Sequence, residues 1–75
     1  PRLALAAGED GLSFFRRLAQ EAPAFLVPGG FLGVEVGIGQ AQAVAGLFRE
    51  AGLVDVAVYK DTAGVDRAVF GSVAS

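Results

Sequence analysis

The sequence predicts an α/β domain with the order helix, strand, helix, strand, strand, in which the last strand runs antiparallel to the others. Two segments carry apolar residues at three- and four-residue spacing, which is typical of amphipathic helices, and three short apolar segments between turn residues are typical of strands. A helix that joins two strands implies a parallel pair with a right-handed crossover. The last two strands are separated by a turn too short for a crossover, so they must form an antiparallel hairpin.

The first helix is expected after Asp10, whose carboxylate is suited to cap the free amides of the first turn. Residues at helical spacing form its apolar face: Leu12, Phe15, Leu18, Ala19 and Ala22. Pro23 lacks an amide hydrogen and disfavours the helical conformation of the residue before it, so we expect a kink or a restart there. The helix must have ended by the turn at Pro28-Gly-Gly30. Residues Pro1 to Gly8 show no clear period and are expected to be irregular.

The first strand is expected at Phe31-Leu-Gly-Val-Glu-Val36, a nearly continuous apolar run. Such a run predicts a strand buried on both faces, as in parallel sheets. The second helix is expected from about Gln40 to Ala51, because apolar residues recur there on one helical face. Gly52 is suited to end that helix, since a left-handed backbone costs glycine little.

A strand, a turn and a final strand complete the prediction. Val54, Val56 and Val58 alternate with Asp55, Ala57 and Tyr59, which predicts a strand with two unlike faces. Asp61 to Gly64 is expected to form a turn, and Asp66 to Gly71 the third strand.

The composition excludes several classes of protein. The 75 residues are 53% apolar and 19% charged, whereas disordered segments combine low hydrophobicity with high net charge and coiled coils are rich in charged residues. The formal net charge is −2 and the six basic residues are scattered, so we expect no direct contact with nucleic acid, which binds basic faces or stripes. Cys and His are absent, which excludes disulfides, thiolate nucleophiles, zinc sites of the Cys/His kind and histidine-based triads.

The length and the apolar composition bear on whether the chain is a whole domain or part of a larger one. No apolar run approaches the roughly 20 residues of a membrane span and no signal peptide is visible, so we expect a soluble, cytoplasmic protein without membrane contact. A domain of about 60 residues buries only about 60% of its unfolded surface and is usually marginal without staples. We therefore expect a part of a larger domain, whose uncovered edge and apolar face favour self-association. The alternative is a complete small protein whose start is trimmed or disordered before Pro1.

A glycine loop between a predicted strand and a predicted helix is the first candidate site. It reads Glu35-Val-Gly-Ile-Gly39-Gln-Ala41, and its glycines would let backbone amides and a helix N-terminus approach a phosphate or a nucleoside. Asp61 follows the next strand, about 20 residues further on, where dinucleotide-binding folds place an acid that binds the ribose. Ala41 stands where a third glycine is expected, however, and the alternative is a tight turn without a ligand.

Isolated charged residues are the remaining candidates. Glu35 lies near the carboxyl end of the first strand, where open α/β sheets bind ligands. It either contacts a substrate or accepts hydrogen bonds from the amides of the following helix, with Gln40 nearby. Asp61 and Arg67 flank the hairpin turn, where we expect a structural ion pair or a turn cap. The six phenylalanines are expected in the core or at an interface.

Several motifs together resemble the C-terminal half of the HemK-type methyltransferases, which are the peptide chain release factor glutamine methyltransferases. In the first half of the chain these motifs are Pro1-Arg-Leu-Ala-Leu5, Gly8-Glu-Asp-Gly11-Leu12, Phe15-Arg-Arg-Leu18 and Leu26-Val-Pro-Gly-Gly30-Phe-Leu32. In the second half they are Glu35-Val-Gly37, Gln40, Ala51-Gly-Leu53, Val56, Lys60-Asp61, Gly64, Asp66-Arg67 and Gly71. The chain departs from the family at Gly33, where a bulky aliphatic residue is more usual.

The resemblance implies that residues 1–75 are the C-terminal portion of a single class I, Rossmann-like methyltransferase domain, with the last strand inserted antiparallel between the two before it. It implies methyl transfer from S-adenosylmethionine to the side-chain amide of the glutamine in the Gly-Gly-Gln motif of release factors. The family's cofactor loop and acceptor motif lie upstream of Pro1, so these residues supply no catalytic or cofactor-binding group and should be inactive alone. Glu35 and Gln40 are then expected to support the substrate side, and Gly37 and Gly39 match a later turn rather than the cofactor loop.

Two other functions remain open at this point. A free-standing small α/β module would bind a nucleotide or a partner through the Gly37–Gly39 loop. Another class I methyltransferase with a different acceptor would share the fold, because the acceptor motif lies outside these residues.

Overall fold

A computed structural model describes residues 11–74 and confirms the predicted order of elements. Helix α1 spans Ser13–Phe25, strand β1 Phe31–Glu35, helix α2 Ala41–Glu50, strand β2 Val54–Lys60 and strand β3 Asp66–Ser72. Asp10, predicted to cap the first helix, and the segment from Pro1 to Gly8 lie outside the described residues. Within the described range, neither helix has the length and apolar character needed to cross a bilayer.

The three strands form one sheet in the order β1-β3-β2, and β3 pairs antiparallel with both neighbours. Strands β1 and β2 therefore run in the same direction, but they are not hydrogen-bonded to each other. The parallel pair expected from the connecting helix is wrong in this respect, because β3 returns through the hairpin and occupies the place between them. The resemblance implied this inserted position, and the sheet confirms it.

The core lies between the two helices and one face of the sheet. Phe48 and Val44 of α2 and Val69 of β3 are fully buried. Ala19 of α1 joins the same cluster, and Leu32, Val34, Val56 and Val58 of the neighbouring strands pack against it. Because Phe48 is the largest of the fully buried side chains, we expect its truncation to alanine to lower the free energy of unfolding by about 3–5 kcal/mol.

Helix α1 continues through Pro23 and ends two residues later at Phe25. The restart expected at Pro23 is therefore wrong, whereas the predicted end before Pro28 is confirmed. Pro23 lies in the last turn, so its missing amide hydrogen removes only the bond to the Ala19 carbonyl. The next bond of the ladder is intact, since the Leu26 amide donates to the Ala22 carbonyl at 3.0 Å.

Helix α2 ends as the position of Gly52 predicted. Gly52 has φ +91°, its amide donates to the Arg49 carbonyl at 3.0 Å, and the Leu53 amide donates to the Phe48 carbonyl at 3.1 Å. This pair of bonds is the Schellman motif, which satisfies the last carbonyls of a helix and turns the chain away. The buried side chain of Leu53 then packs in the same cluster as Phe48, so the turn fixes how β2 enters the sheet.

A bulge at the start of β2 changes which face its first valine occupies. Val54 pairs with Ser72 and Ala57 pairs with Phe70, so β2 has one extra residue between these positions. Asp55 lies within the bulge with φ +53°, a conformation that aspartate tolerates better than most residues. Val56 and Val58 pack on the core as predicted, whereas Val54 lies on the opposite face and is 40% exposed.

The face of the sheet opposite the helices is uncovered in the described part of the chain. Phe31, Gly33 and Glu35 of β1 are exposed, while Leu32 and Val34 alternate with them toward the core. The prediction that β1 is buried on both faces is wrong here, because α1 and α2 lie on the same side of the sheet. We call this uncovered side the outer face.

An aromatic cluster occupies the outer face, and Gly33 makes room for it. Gly33 pairs in register with Phe70, and a Cβ atom at Gly33 would lie only 2.6 Å from Phe70 Cδ2. The Phe70 ring thus lies over the glycine. Its centroid is 5.1 Å from that of Tyr59 and 6.3 Å from that of Phe31. The departure of the sequence at Gly33 has a physical reason, since an aliphatic side chain would occupy the space of this ring.

We predict that Gly33→Val destabilises the complete protein that contains this chain by about 1–3 kcal/mol, because the added side chain displaces the Phe70 ring. In a Phe70→Leu background the same change should be neutral or stabilising, since glycine within a strand costs about 0.5–1 kcal/mol relative to alanine. Urea unfolding of the four proteins of this double-mutant cycle measures the coupling. Additive effects of the two substitutions would contradict the packing described for Phe70.

Candidate functional site

The candidate site is the carboxyl end of β1 and the loop that leads to α2. β1 ends at Glu35, and the Val36 amide continues the pairing by donating to the Arg67 carbonyl at 2.9 Å. The loop then turns sharply, with the Gln40 amide donating to the Gly37 carbonyl at 3.1 Å and Gly39 at φ +83°. Ile38 at its tip is 84% exposed. The exposed side chains here are therefore the polar Glu35 and the apolar Ile38, and they lie at the edge where open α/β sheets bind ligands.

The side chain of Gln40 closes this loop. Its Oε1 accepts a hydrogen bond of 2.7 Å from the Gly37 amide, and its Nε2 donates to the Gly11 carbonyl at 3.3 Å. Gln40 also stands at the N-cap position of α2, but its side chain does not cap the helix. One amide group thus connects the loop after β1 with Gly11, which lies two residues before the start of α1.

The Gly37–Gly39 loop does not offer its first amide to a ligand. The Gly37 amide is occupied by Gln40 Oε1, so the hydrogen bond that a phosphate would need is already made within the protein. This geometry favours the tight turn over the phosphate- or nucleoside-binding loop considered from the sequence.

Glu35 points into an open environment. It is exposed at the last position of β1, opposite Ala68 in the register. Within residues 11–74 no hydrogen bond or ion pair engages its carboxylate. The alternative in which Glu35 accepts hydrogen bonds from the amides of the following helix is therefore wrong for the described residues. The structure brings Glu35 and Gln40 to the two ends of one short loop without a direct bond between them.

Asp61 is fully used within the hairpin turn. One carboxylate oxygen accepts from the Ala63 and Val65 amides at 2.9 and 3.0 Å, and the other accepts from Arg67 Nε at 2.8 Å. These contacts confirm the predicted turn cap and ion pair, and they leave no support for a ribose-binding role. The Val65 amide, followed by Arg67, lowers the pKa of Asp61 below its ordinary value of 3.8.

The bond between Gln40 and Gly11 is the feature of this site that the sequence did not predict. The two residues are 29 positions apart, and periodicity identifies elements but not the side-chain contacts between distant segments. A weak signal exists in the sequence, namely a glutamine three residues after a glycine at a strand-to-helix junction. A depression of about 160 Å³ lies between α1 and α2, lined by Arg16, Gln20, Leu47, Glu50 and Ala51. It adjoins the C-terminal half of α2, whereas the Gly37–Gly39 loop precedes that helix.

Comparison with curated proteins finds strong similarity to one kind of enzyme. The chain is 48% identical over 73 residues to the release factor glutamine methyltransferase of Geobacter sulfurreducens, which covers 97% of the chain and 26% of that protein. It is 51% identical over 71 residues to the protein of the same name from Caulobacter vibrioides, and 52% identical over 69 residues to that from Cereibacter sphaeroides. The chain thus spans about a quarter of the length of these relatives. No family model matches the chain.

A solved structure gives the same result for the fold. The chain resembles the crystal structure of the protein-(glutamine-N5) methyltransferase (release factor-specific) from Alicyclobacillus acidocaldarius, with a TM-score of 0.72 and 40% sequence identity. The match covers 88% of this chain and 42% of that one. It confirms the predicted class I methyltransferase fold for the described part of the sheet.

We predict that Asp61→Asn makes the stability of the complete protein less sensitive to acid. The pKa of Asp61 is lowered in the folded state, so its stabilising effect is present above the ordinary carboxyl pKa and is lost as the pH falls through the lower folded-state pKa. The variant should be less stable than the parent at about pH 7, and the difference should shrink below about pH 4. Thermal unfolding across this range measures it.

Asp55→Asn is the matched control, because it removes the same charge from β2 at a residue whose left-handed backbone asparagine also tolerates. If both variants lost stability equally, or if the Asp61 difference did not change with pH, the turn interactions would not be the cause.

Proposed function

The chain is homologous to the C-terminal part of release factor glutamine methyltransferases, and from this premise we propose that it is part of an enzyme that methylates release factors with S-adenosylmethionine as the methyl donor. The acceptor is the side-chain amide of the glutamine in the Gly-Gly-Gln motif. We propose further that residues 1–75 form the C-terminal portion of one catalytic domain.

The observation that carries this proposal is the identity of 48–52% over nearly the whole chain to three enzymes of that name. The same stretch matches a solved enzyme in backbone geometry. Sequence and fold thus point to the same kind of enzyme, and the three alignments cover 92–97% of the chain rather than one loop.

The described residues do not fit the methyl donor by themselves. The Gly37 amide, which a bound nucleoside or carboxylate would need, is engaged by Gln40. We propose that the donor site lies in the part of the enzyme beyond the matched quarter, and that this chain alone transfers no methyl group. Its contribution is three strands of the sheet and the edge formed by Glu35 and the following loop.

Glu35 is the residue of this chain that we propose lies on the substrate side, with Gln40 in support. Its carboxylate is exposed at the carboxyl end of β1 and has no partner within the described residues. A carboxylate oxygen there is able to accept a hydrogen bond from an amide N–H₂ group, the functional group of the proposed acceptor.

The proposed function is tested with the complete gene product that contains this chain, labelled S-adenosylmethionine and a purified release factor. We expect label on the release factor and none on a variant in which the glutamine of its Gly-Gly-Gln motif is replaced by alanine. Label on other proteins but not on the release factor would indicate a different acceptor. Saturable binding of adenosine-containing ligands to the 75-residue chain alone would instead favour the small binding module.

We predict that Glu35→Ala lowers the turnover of the complete enzyme by about tenfold or more, because a hydrogen bond to a charged group is worth about 1.5–3 kcal/mol. Steady-state kinetics with a release factor as the acceptor measures this. Glu50→Ala, which removes an exposed carboxylate from the opposite end of α2, is the matched control and should leave turnover unchanged. Equal kinetics for the Glu35 variant and the parent enzyme would remove Glu35 from the substrate side.

A further inference from the structure

We propose that Gln40 is a positioning residue whose side-chain amide holds the chain that leads into α1 against the loop that leaves β1. The proposal rests on the proposed function, because the edge that Gln40 organises is the one at which methyl transfer would take place. It assigns Gln40 a specific role through two backbone partners rather than a contact with substrate.

Gln40 uses both ends of one amide group. Oε1 accepts from the Gly37 amide at 2.7 Å, while Nε2 donates to the Gly11 carbonyl at 3.3 Å. A glutamine amide offers an acceptor and a donor on two adjacent atoms at this reach, whereas a serine or threonine hydroxyl is much shorter and asparagine is shorter by one methylene group. Replacement of Gln40 by alanine or glutamate therefore breaks at least one of the two bonds.

Both partners are glycines, and the bridge lies close against them. A Cβ atom at Gly37 would lie 3.1 Å from Gln40 Oε1, and a Cβ atom at Gly11 would lie 3.4 Å from Nε2. Gly11 also has φ +72°, a left-handed conformation that favours glycine. Two glycines and one glutamine thus form a single packed unit, although 29 residues separate its most distant members.

The place of this unit in the fold gives it a functional consequence. Helix α1 runs from near Gly11 to the loop that precedes β1. Gly11 therefore lies at the end of α1 far from that loop, on the side of the carboxyl end of β1. Ligands of open α/β sheets bind at this edge. Gln40 consequently fixes the position of the chain entering α1 relative to Glu35. A displacement of that chain alters the geometry of this edge of the sheet without unfolding the sheet.

Gln40→Glu separates the two bonds, because glutamate keeps an acceptor for the Gly37 amide but has no donor for the Gly11 carbonyl. A negative charge beside the N-terminus of α2 is favourable, so the variant should keep its fold. In the complete enzyme we expect kcat for release factor methylation to fall by about tenfold, with the melting temperature within about 2 °C of the parent. Gln42→Glu adds the same charge to an exposed position of the same helix and should change neither quantity.

Two results would overturn the proposal. One is a kcat for Gln40→Glu within about twofold of the parent, against the far larger losses that small misplacements cause. The other is a lower melting temperature with unchanged kcat per folded molecule, since that would mean a purely structural role.

Amide hydrogen exchange on the complete protein gives a readout that does not depend on activity. Gln40→Glu should raise exchange at the start of α1 while the Gly37 amide stays protected, whereas Gln40→Ala should raise exchange at both. Unchanged exchange at the start of α1 in both variants would refute the bridge. If the parent enzyme methylated no release factor but these exchange differences were present, the proposed function would fail while the bridge itself would stand.

Discussion

Val69 lies at the middle of β3, in register with Val34 of β1 on one side and Val58 of β2 on the other. It is fully buried in the cluster that contains Phe48 of α2. Because β3 pairs with both neighbours, this single strand determines the spacing and direction of the other two. The helices then pack on the face where Val69 lies, and the opposite face remains open. The position of the candidate site follows from this arrangement, since the end of β1 is held by the backbone bond from Val36 to Arg67.

The hairpin that returns β3 into the sheet is held by polar contacts rather than by apolar packing. Asp61 accepts from two backbone amides and from Arg67, and Gly64 takes a left-handed backbone at φ +83°. The carboxylate that resembled a ribose ligand in the sequence is thus part of the turn that places Arg67, whose carbonyl in turn supports the end of β1. Asp61 and Glu35, which were separate candidates in the sequence, are therefore connected through strand β3.

The elements with local causes were predictable from the sequence. Both helices, the end of α2 at Gly52 and the hairpin at Asp61 follow from spacing, glycine and turn chemistry, which act within a few residues. The errors concern interactions between distant segments. Val54 lies on the outer face rather than the predicted one because of a bulge, whose extra residue is defined only by pairing with β3. The exposure of Phe31 depends on which side of the sheet the helices occupy. The contact of Gln40 with Gly11 has the same character, since no local pattern connects them. The sequence resemblance supplied the position of β3 that residue-level reasoning did not.

The aromatic cluster of the outer face also determines which part of the chain near-ultraviolet spectroscopy observes. Tyr59 is the only tyrosine and tryptophan is absent, so the near-ultraviolet signal comes mainly from one ring that lies against Phe70. Tyr59 is 56% exposed, whereas Phe48 in the core is fully buried and absorbs weakly. An optical melting curve of the chain in this region of the spectrum would follow the outer face and would say little about the core. Far-ultraviolet dichroism, which senses the backbone of α1 and α2, would follow the other side of the sheet.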